Sequence, residues 1–319
     1  MTSRPRQPPN DPIVERDLHE HFGEIGRSLP PEVLIPPGDD LALIATDGPI
    51  LTGTDQVVLG RHVRVDESPY AIGRKAVLRN LSDVAAMAAQ PVSIVAAATL
   101  GPSCDRAWAT ELHRGLHETG LAWNAPLVGG DLATHATTDG PTVISVSILA
   151  RPALPASRIV TRDGGRPGDL LAVTGRLGGS LQPDGRGRHL DFIPRIHEAI
   201  LLAETLGDDL RAMMDLSDGL AQDAGRLATA GGTTARIDVD LLPTSPGCDW
   251  RAAVADGEDY ELLFACRTPP PTTLLGTPVT VVGRLETPTP AFPEGAVVVG
   301  EGADARRIDH LGWEHRSGG

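Results

Sequence analysis

Short apolar runs alternate with amphipathic stretches along this chain, and the alternation predicts strands interleaved with helices. The runs SIVAAATL, APLVGG and TVISVSILA have the length and composition of strands, and Ser alternates with apolar residues in the last of them. The stretch CDRAWATELHRGLHETG places Leu112 and Leu116 on one face of a helix. We therefore predict an α+β domain that ends near Ala150 and contains one excursion of antiparallel appearance.

Turn and capping residues predict further boundaries in this first domain. LALIA and PILTGTD are predicted as two strands joined by a Thr-Asp-Gly-Pro turn, and residues 13–28 as a helix. Ser68-Pro69 has the form of a helix start, and this helix is expected to reach about Arg79. Ser82 is expected to cap a second short helix, VAAMAA.

A stretch rich in Pro, Gly and Arg, RPALPASRIVTRDGGRPGD, indicates a boundary between two domains. After it, DLLAVTG, ARIDVD, YELLFAC and PVTVVG are predicted as strands, and DFIPRIHEAILLAETL and AQDAGRLATAGG as helices. The segment SLQPDGRGRH is expected to be a mobile loop. The predicted organisation is a disordered tail at residues 1–11, an N-terminal mixed-sheet domain at 12–152 and a C-terminal α+β domain at 153–319.

Composition excludes several classes of partner. The 319 residues carry a net charge of −14, which argues against general affinity for nucleic acid. The segment MTSRPRQPPNDP lacks the apolar core of a signal peptide, and no run of about 18 apolar residues occurs, so no membrane attachment is expected. The three cysteines form no Cys-x-x-Cys pair, which excludes zinc ribbons and thioredoxin-like sites and favours free thiols in the cytoplasm.

Lys75 is the only lysine among 28 basic residues. Heavy use of Ala, Gly, Pro and Arg indicates a bias of the whole genome, which says nothing about mechanism. A lysine that survives such a bias is either required by chemistry, since Lys and Arg are not interchangeable, or a chance survivor on a helix surface. Both interpretations stay open.

Aspartates stand at or just after the end of five apolar runs. These runs lie in PPGDDLALI, LTGTDQVV, NLSDVAAMAA, LVGGDLAT and MMDLSDGLAQD. Their aspartates are Asp39, Asp40, Asp55, Asp83, Asp131, Asp215 and Asp218. One such aspartate usually belongs to a turn or a helix cap, but Mg²⁺ recruits carboxylates together with substrate phosphates. Five segments together predict a metal site assembled from distant parts of the chain, and hence an enzyme that handles phosphate.

The triplet Leu-Ser-Asp occurs twice, in NLSD and in DLSD, each time at an expected helix start. It indicates either an ancient duplication or two capping motifs. Asp215 and Asp218 lie three residues apart at the second of these starts, so both can face one point. Amide groups at a helix start favour bound anions, and metal and phosphate can share this corner.

Familiar phosphate-binding signatures are absent from the sequence. It contains no GxxxxGK[ST] loop, no GxGxxG after a strand and no catalytic-loop signature of the protein kinases. A phosphoryl-transfer enzyme without these must neutralise a triphosphate by other means. Several Mg²⁺ ions held by carboxylates would do so.

Four further residues have both a functional and an ordinary interpretation. Arg162 precedes the Gly-rich turn DGGRPGD and could clamp a phosphate, or it could be one exposed arginine of many. His62 could contact a substrate, although a lone histidine is more often structural. Glu258 and Asp259 could bind an amine or a cation, or they could be turn acids before a strand.

Seven segments follow one another along the chain: GDD, TGTDQVVLGRH, IGRKAVLRNLSD, GGD, TRDGGRPGD, DLSDGL and DGEDYELLF. In this order and spacing they resemble the bacterial thiamine-monophosphate kinases, which belong to the superfamily of aminoimidazole-ribonucleotide synthetase. The resemblance extends from about Val14 to Trp313. Its most specific part is GEDYEL together with DLSDGL and NLSD.

The resemblance implies an activity and an assembly. The family moves the γ-phosphoryl group of ATP onto thiamine monophosphate by direct transfer, with several Mg²⁺ ions and no phosphoenzyme. It forms a homodimer whose N-terminal domains pair through their sheets, and each subunit adds a C-terminal α+β domain. ATP, thiamine monophosphate and a second copy of the chain are therefore the expected partners.

The resemblance also implies roles for individual residues. The implied Mg²⁺ ligands are Asp40, Thr54, Asp55, Asp83, Asp131, Asp215 and Asp218, of which Asp55 and Asp218 are expected to be essential for turnover. The implied nucleotide contacts are Gly130, Asp131, Arg162 and Ser217. The implied substrate contacts are His62, Glu258 and Trp313, the last stacking on the thiamine rings. Trp123 stands near the position where the family has an aromatic residue beside the nucleotide.

Two departures from the family pattern and two alternatives remain. Gly53 stands where the family usually has Ser, and the loop SLQPDGRGRH is shorter than usual.

One alternative is another ATP-dependent synthetase of the superfamily. The selenophosphate type is disfavoured because no Cys precedes Cys104, and the hydrogenase-maturation type because the chain ends HRSGG without a cysteine. The other alternative is a dimer that binds metal or nucleotide without catalysis.

Overall fold

A computed structural model describes residues 29–31, 33–35, 43–135 and 140–313. The predicted tail at residues 1–11 and the predicted helix at 13–28 lie outside the described residues, as do Asp39 and Asp40. The predicted α+β class is confirmed, because each half of the chain combines helices with a sheet. Within the described ranges, no helix is both long and apolar enough to cross a membrane.

The described residues form two compact units. The first unit contains the residues up to Asn80 together with Pro91–Leu149, and the second contains Leu81–Gln90 together with the residues from Ala150 onward. The predicted boundary lies between residues 152 and 153 and keeps residues 81–90 in the first domain. By its contacts, however, the segment 81–90 groups with the second unit.

A four-stranded sheet is the framework of the first half of the chain. Its strands are β3 (Leu51–Val58), β4 (Ala89–Leu100), β5 (Leu127–Thr134) and β6 (Val143–Pro152), preceded by two short strands, β1 (Val33–Ile35) and β2 (Leu43–Ile44). The order in the sheet is β3-β6-β4-β5, and β4 and β5 are parallel. The predicted strands LALIA and PILTGTD correspond to β2 and β3, and β2 pairs with β1 in a separate two-stranded sheet.

Two helices, α1 (Pro69–Ala86) and α2 (Arg106–Ala122), belong to the same half of the chain. Glycines let them approach closely: a side chain at Gly73 would overlap the carbonyl oxygen of Leu112, and one at Gly115 would overlap that of Tyr70. Helix α2 buries Leu112 and Leu116, as the sequence pattern predicts. The glycines and leucines thus lie where the two helices meet.

Helix α1 continues without a break through NLSD, so the prediction that Ser82 caps a second helix is wrong. The segment contains good helix formers and no Gly or Pro after Gly73 to end the helix. Ser82 and its neighbour Leu81 lie within helix α1 and are buried from solvent, whereas Asp83 is exposed. The serine hydroxyl serves a tertiary contact and not a cap.

An antiparallel sheet with one parallel pair is the framework of the second half. Its strands are β7 (Leu170–Thr174), β8 (Leu210–Asp215), β9 (Thr234–Ile237), β10 (Leu262–Cys266), β11 (Thr273–Leu274), β12 (Thr277–Glu286), β13 (Val297–Val299) and β14 (Arg306–Arg307). Its helices are α3 (Ile196–Leu206), α4 (Leu220–Gly231) and α5 (Trp250–Ala255). The main path is β14-β13-β9-β12-β7-β10-β8, and β13 runs parallel to β9.

The core of this half lies between the sheet and helix α4. Inward residues such as Val173, Met214 and Leu263 are almost fully buried, and they pack with Leu220 and Leu227 of the helix. Helix α4 ends at Gly232, which has the left-handed conformation typical of a helix C-cap. The core therefore fixes the ends of β8 and α4, and with them the loop that joins the two elements.

Candidate active site

The loop between β8 and α4 carries three predicted site residues. Asp215 is the last residue of β8, and Ser217 and Asp218 follow before the helix begins at Leu220. The prediction that Asp215 and Asp218 stand at a helix start is therefore wrong for Asp215. The strand LRAMMD was not predicted, because it lacks the β-branched residues that signal a strand.

Asp215 is buried and accepts a hydrogen bond from Ser82. The distance from Ser82 Oγ to Asp215 Oδ2 is 2.7 Å, and both residues belong to the second unit. The donor comes from helix α1, 133 positions earlier in the chain. Asp83, the predicted metal ligand, is the next residue of that helix. The first Leu-Ser-Asp triplet thus contacts the residue that directly precedes the second.

Asp223, in the first turn of α4, holds the loop by its backbone. Its Oδ2 accepts hydrogen bonds of 3.0 Å from the amides of both Ser217 and Asp218, and the residue is completely buried. Sequence reasoning missed Asp223, although an acid in the first turn of a helix is a recognisable signal for this kind of capping. The residue fixes the conformation in which Ser217 and Asp218 are presented.

Negative charge is concentrated around this loop. Burial, followed by repulsion from Asp215, raises the pKa of Asp223 to about 7, and Asp218 adds to the repulsion. Arg226 opposes it, because its guanidinium contacts Asp218 Oδ2 at 2.5 Å and Asp223 Oδ1 at 2.7 Å. Arg226 thus pairs with two of the three carboxylates, and a divalent cation would relieve the repulsion among them.

The turn Gly257–Glu261 is joined to the same loop by backbone hydrogen bonds. The amide of Glu258 donates to Ser217 O at 2.7 Å, and the amide of Tyr260 donates to Leu216 O at 2.8 Å. Both Glu258 and Tyr260 have positive φ, a conformation that few side chains adopt without strain. Glu258, a predicted substrate contact, therefore lies directly beside Ser217, a predicted nucleotide contact.

Trp313 is joined to the same loop through its backbone. Its amide donates a hydrogen bond of 3.0 Å to Asp218 O, and its side chain is partly exposed, at 36%. Within the second unit, one loop thus gathers five of the predicted site residues. They are Asp215, Ser217, Asp218, Glu258 and Trp313.

Asp259 and Arg162 differ in burial and in their hydrogen bonds within the protein. Asp259 is buried, and its carboxylate accepts hydrogen bonds from Gly178 N, Ser180 Oγ and Arg188, so it serves the protein and not a ligand. Arg162 is exposed and follows Thr161, whose carbonyl oxygen accepts a hydrogen bond from Met213 of β8. Arg162 is thus available to a ligand close to the end of β8.

In the first unit, Asp55 and Thr54 are neighbours on β3. Asp55 pairs with Arg79 of helix α1 at 3.3 Å, whereas Thr54 Oγ1 lies 2.7 Å from Ser147 Oγ on β6. Because consecutive residues of a strand point to opposite faces, the two side chains diverge. Thr54 can share a cation with Asp55 only through its backbone carbonyl.

Gly130 and Asp131 lie on β5, at the other edge of this sheet. A side chain at Gly130 would overlap the carbonyl oxygen of Ala96, so only glycine fits there, and Asp131 is exposed. Two strands, β6 and β4, separate β5 from β3. At the usual strand spacing this is roughly 14 Å, so the sheet itself does not bring Asp131 and Asp55 together.

Lys75 of helix α1 is hydrogen-bonded to His62, which lies in the turn after β3. Lys75 is completely buried, and its Nζ donates a hydrogen bond of 2.9 Å to the carbonyl oxygen of His62. The His62 ring accepts a hydrogen bond of 3.0 Å from Val58 N through Nδ1. The surface interpretation of Lys75 is therefore wrong, and the residue holds the backbone of the predicted substrate contact. Trp123, at the end of α2, lies half-buried in the same unit.

A complete metal centre is not found among the described side chains, in which no group of three or more His, Cys, Asp or Glu residues could hold an ion. Asp40, one of the predicted ligands, lies outside the described ranges. The donors fit Mg²⁺ in type, since they are carboxylate oxygens, and the charge around Asp215, Asp218 and Asp223 favours a cation. The full ligand set stays a prediction.

Two family models match the chain. Residues 38–151 match AIR synthase related protein, N-terminal domain, and residues 166–299 match AIR synthase related protein, C-terminal domain.

Curated relatives extend over most of the chain. Thiamine-monophosphate kinase of Rhodopirellula baltica is 35% identical over 280 residues, which cover 80% of this chain and 84% of the relative. Thiamine-monophosphate kinase of Salmonella typhimurium is 34% identical over 311 residues, which cover 87% of this chain and 90% of the relative. The similarity therefore includes both halves of the chain.

Solved structures share the fold. AaThiL complexed with AMPPCP and TMP has a TM-score of 0.69 at 27% identity, covering 84% of this chain and 87% of that one. The thiamine-monophosphate kinase of Stenotrophomonas maltophilia K279a has a TM-score of 0.71 at 25% identity, covering 89% and 94%. Hydrogenase maturation protein HypE from E. coli, with a TM-score of 0.71 at 16% identity over 92% and 97%, shows the common fold alone.

Proposed function

This chain belongs to the AIR synthase related family and within it to the thiamine-monophosphate kinases, and from this premise we propose that it converts thiamine monophosphate to thiamine diphosphate with ATP. The observation that carries the proposal is the gathering of Asp215, Ser217, Asp218 and Glu258 around one loop. Anion-binding and cation-binding groups lie side by side there. A kinase whose acceptor carries both phosphate and a cationic ring needs this combination.

The reaction demands charge neutralisation more than proton transfer. The acceptor is a phosphate oxygen, which is already anionic, so no general base is required. What the protein must do is bring two anionic reactants together in line and hold them there. We propose a direct transfer, with the γ-phosphoryl group passing from ATP to the substrate without a phosphoenzyme.

Acidic side chains of this chain would hold the Mg²⁺ ions. In the second unit these are Asp83, Asp215 and Asp218, and in the first they are Asp55 and Asp131, with the Thr54 carbonyl oxygen. Asp40 completes the proposed set. Bound Mg²⁺ supplies positive charge to the phosphate oxygens of both reactants. The excess of carboxylates around Asp223 supports a cation in the second unit.

Other residues would bind the organic reactants. We propose that Ser217 and the exposed Arg162 contact the phosphates of ATP, and that the exposed backbone of Gly130 on β5 contacts the nucleotide. Glu258 would attract the positively charged thiazolium ring of thiamine, and Trp313 would stack on the thiamine rings.

We propose that His62 also contacts the substrate, in the conformation that its hydrogen bond from Val58 N imposes. The cytoplasm remains the predicted location.

A homodimer is part of the proposal. One face of the four-stranded sheet is exposed in the chain described here, with Thr52, Thr54 and Gln56 on β3 and Val95 and Ala97 on β4. A second copy covering this face would bury Val95, which is 42% exposed. Sedimentation at several concentrations tests this: a monomeric mass at all of them would contradict the dimer.

Turnover with defined acceptors tests the function. The purified chain, ATP and Mg²⁺ should convert thiamine monophosphate to thiamine diphosphate, detected by chromatography, and should stop when the metal is chelated. If aminoimidazole precursors stimulate ATP consumption and thiamine monophosphate does not, the chain is a synthetase of the same superfamily. Inversion of configuration at a chiral γ-phosphorus is expected for direct transfer, whereas retention would indicate a phosphoenzyme.

A further inference from the structure

Three acids of the turn Gly257–Glu261 pair with three basic residues of one segment, 188–195. His189 lies against Glu258, Arg188 against Asp259 and Arg195 against Glu261. This segment includes the end of SLQPDGRGRH, which the sequence predicts to be a mobile loop. Its contacts bind it to the turn beside the candidate active site.

In two of these pairs the acid is buried inside the protein. The carboxylate of Glu261 accepts two hydrogen bonds from Arg195, at 2.7 and 2.8 Å, and one from Thr174. Asp259 is held by Arg188 and by the Ser180 hydroxyl. Burial raises the pKa of Asp259, while its hydrogen bonds and the charge of Arg188 oppose the rise. Both acids anchor the turn and its strained backbone.

The third pair differs in exposure. The side chain of Glu258 is 19% exposed, against 1% for Asp259 and 7% for Glu261. Of the three carboxylates it is the one that solvent and ligands can reach. Its backbone is fixed by positive φ and by the hydrogen bond to Ser217 O, so only its side-chain angles remain to be set.

His189 sets the side-chain angles of Glu258 from a fixed position. The ring is completely buried, its Nδ1 lies 3.2 Å from Glu258 Oε2, and its Nε2 lies 3.2 Å from the carbonyl oxygen of Gly185. The backbone amide of His189 donates to Ser180 O at 3.2 Å. The residue is thus held at its backbone, with an oxygen acceptor facing each ring nitrogen, and it meets the more exposed acid from the buried side.

We propose that His189 is a positioning residue, which orients the Glu258 carboxylate toward the cationic ring of the substrate. The inference rests on the proposed function, because Glu258 is a substrate contact only under that function. A proton on Nδ1 donates to Oε2 and fixes the plane of the carboxylate before the substrate arrives. His189 itself touches neither reactant, so its contribution appears in the affinity for thiamine monophosphate and not in that for ATP.

The decisive experiment compares Michaelis constants for the two substrates in His189→Phe and His189→Asn. Phe keeps a ring of similar volume without its nitrogens, and it should raise the Michaelis constant for thiamine monophosphate about tenfold, with that for ATP unchanged. Asn can place a donor near the position of Nδ1 and should restore most of the affinity. His197→Asn, at an exposed position on α3, is the matched control and should behave as the wild type.

Coupling to Glu258 distinguishes positioning from a structural defect. In a Glu258→Gln background, His189→Phe should add little to the Michaelis constant, because its effect passes through that carboxylate. Equal losses for both substrates, or full additivity with Glu258→Gln, would overturn the inference. A wild-type chain that does not phosphorylate thiamine monophosphate would refute the proposed function instead. An active wild type with an unaltered His189→Phe would refute the positioning role alone.

Discussion

Ser82 Oγ donates a hydrogen bond of 2.7 Å to Asp215 Oδ2, so the first Leu-Ser-Asp triplet supports the acid that directly precedes the second. Both side chains are buried, at 1% and 7% exposure. A buried carboxylate without a donor is costly, which makes this hydroxyl important for the loop that follows β8.

Ser82→Ala should destabilise the protein by about 1–3 kcal/mol, because Asp215 loses a donor that water cannot replace. The Mg²⁺ concentration for half-maximal turnover should change as well. Ser93→Ala is the matched control: Ser93 is also completely buried, and its hydroxyl has no hydrogen-bond partner among the described residues. Urea unfolding of both variants gives the comparison, and equal losses would contradict a special role for Ser82.

Asp218→Ala and Asp55→Ala should each lower turnover at least about a hundredfold while the fold is retained, because both acids are proposed to hold Mg²⁺ against the phosphates. Circular dichroism and steady-state rates at saturating Mg²⁺ are the measurements. Asp304→Ala, at an exposed acid of the same unit as Asp218, should leave turnover and circular dichroism unchanged. Near-normal rates in the two site variants would refute their role.

Trp313→Ala should raise the Michaelis constant for thiamine monophosphate more than that for ATP, because it removes a ring proposed to stack on the substrate. Its backbone contact to Asp218 is unaffected by the substitution. Trp313→Phe keeps an aromatic face and should lose less. The reverse order of the two Michaelis constants would contradict the stacking assignment.

Lys75→Arg should destabilise the protein by about 1–3 kcal/mol, because the larger guanidinium must enter a site where the lysine is already completely buried. The substitution also displaces the hydrogen bond to His62 O, so the affinity for thiamine monophosphate should fall. Arg251→Lys, at a side chain that is 66% exposed, is the control for exchanging the two cations. Coincident urea unfolding curves for Lys75→Arg and the wild type would contradict a loss of stability from the larger side chain.

Glu286→Gln should show a stability effect that depends on pH. Burial raises the pKa of Glu286, but hydrogen bonds from Arg236 and Arg284 outweigh it and hold the pKa below its ordinary value of 4.5. A depressed pKa stabilises the folded state above the unfolded value, and the contribution is lost as the pH falls through the folded one. The variant should be about 0.5–1 kcal/mol less stable at pH 7.

The same comparison below pH 4.5 should show a shrinking difference between Glu286→Gln and the wild type. Glu294→Gln, at an exposed position of the same unit, is the control. Thermal unfolding at pH 7 and at successively lower pH is the measurement. A constant difference across that range would contradict the ion-pair explanation.

Periodicity in the sequence predicts much of the framework and little of the site geometry. Helix α2 and the strands DLLAVTG and YELLFAC follow from apolar spacing, because burial of one face dictates their composition. The contact from Ser82 to Asp215 joins residues 133 positions apart, and no local pattern encodes it. The continuous α1 shows the same limit, since Ser82 has a capping residue's identity but a tertiary partner.

Acid-rich segments predict which residues matter better than they predict where those residues lie. Asp215, Asp218 and Glu258 do converge, because the end of β8 and the beginning of β10 are neighbours in one sheet. Asp55 and Asp131 sit on opposite edges of another sheet, a separation that strand order alone decides. Asp223 and His189 escaped notice because each acts on a neighbour and not on a ligand.

The grouping of Leu81–Gln90 with the second unit has a consequence for dissecting this molecule. The amide of Val160 donates to the carbonyl oxygen of Met87, and Ser82 completes the surroundings of Asp215. A fragment that starts near residue 150 would lack Met87 and Ser82, so the Val160 amide and the Asp215 carboxylate would lose these hydrogen-bond partners. The space that residues 81–90 fill would be empty and would expose the interior of the fragment. The halves of this chain are therefore interwoven in sequence, so recombination between relatives should succeed only when the 81–90 stretch travels with the later half.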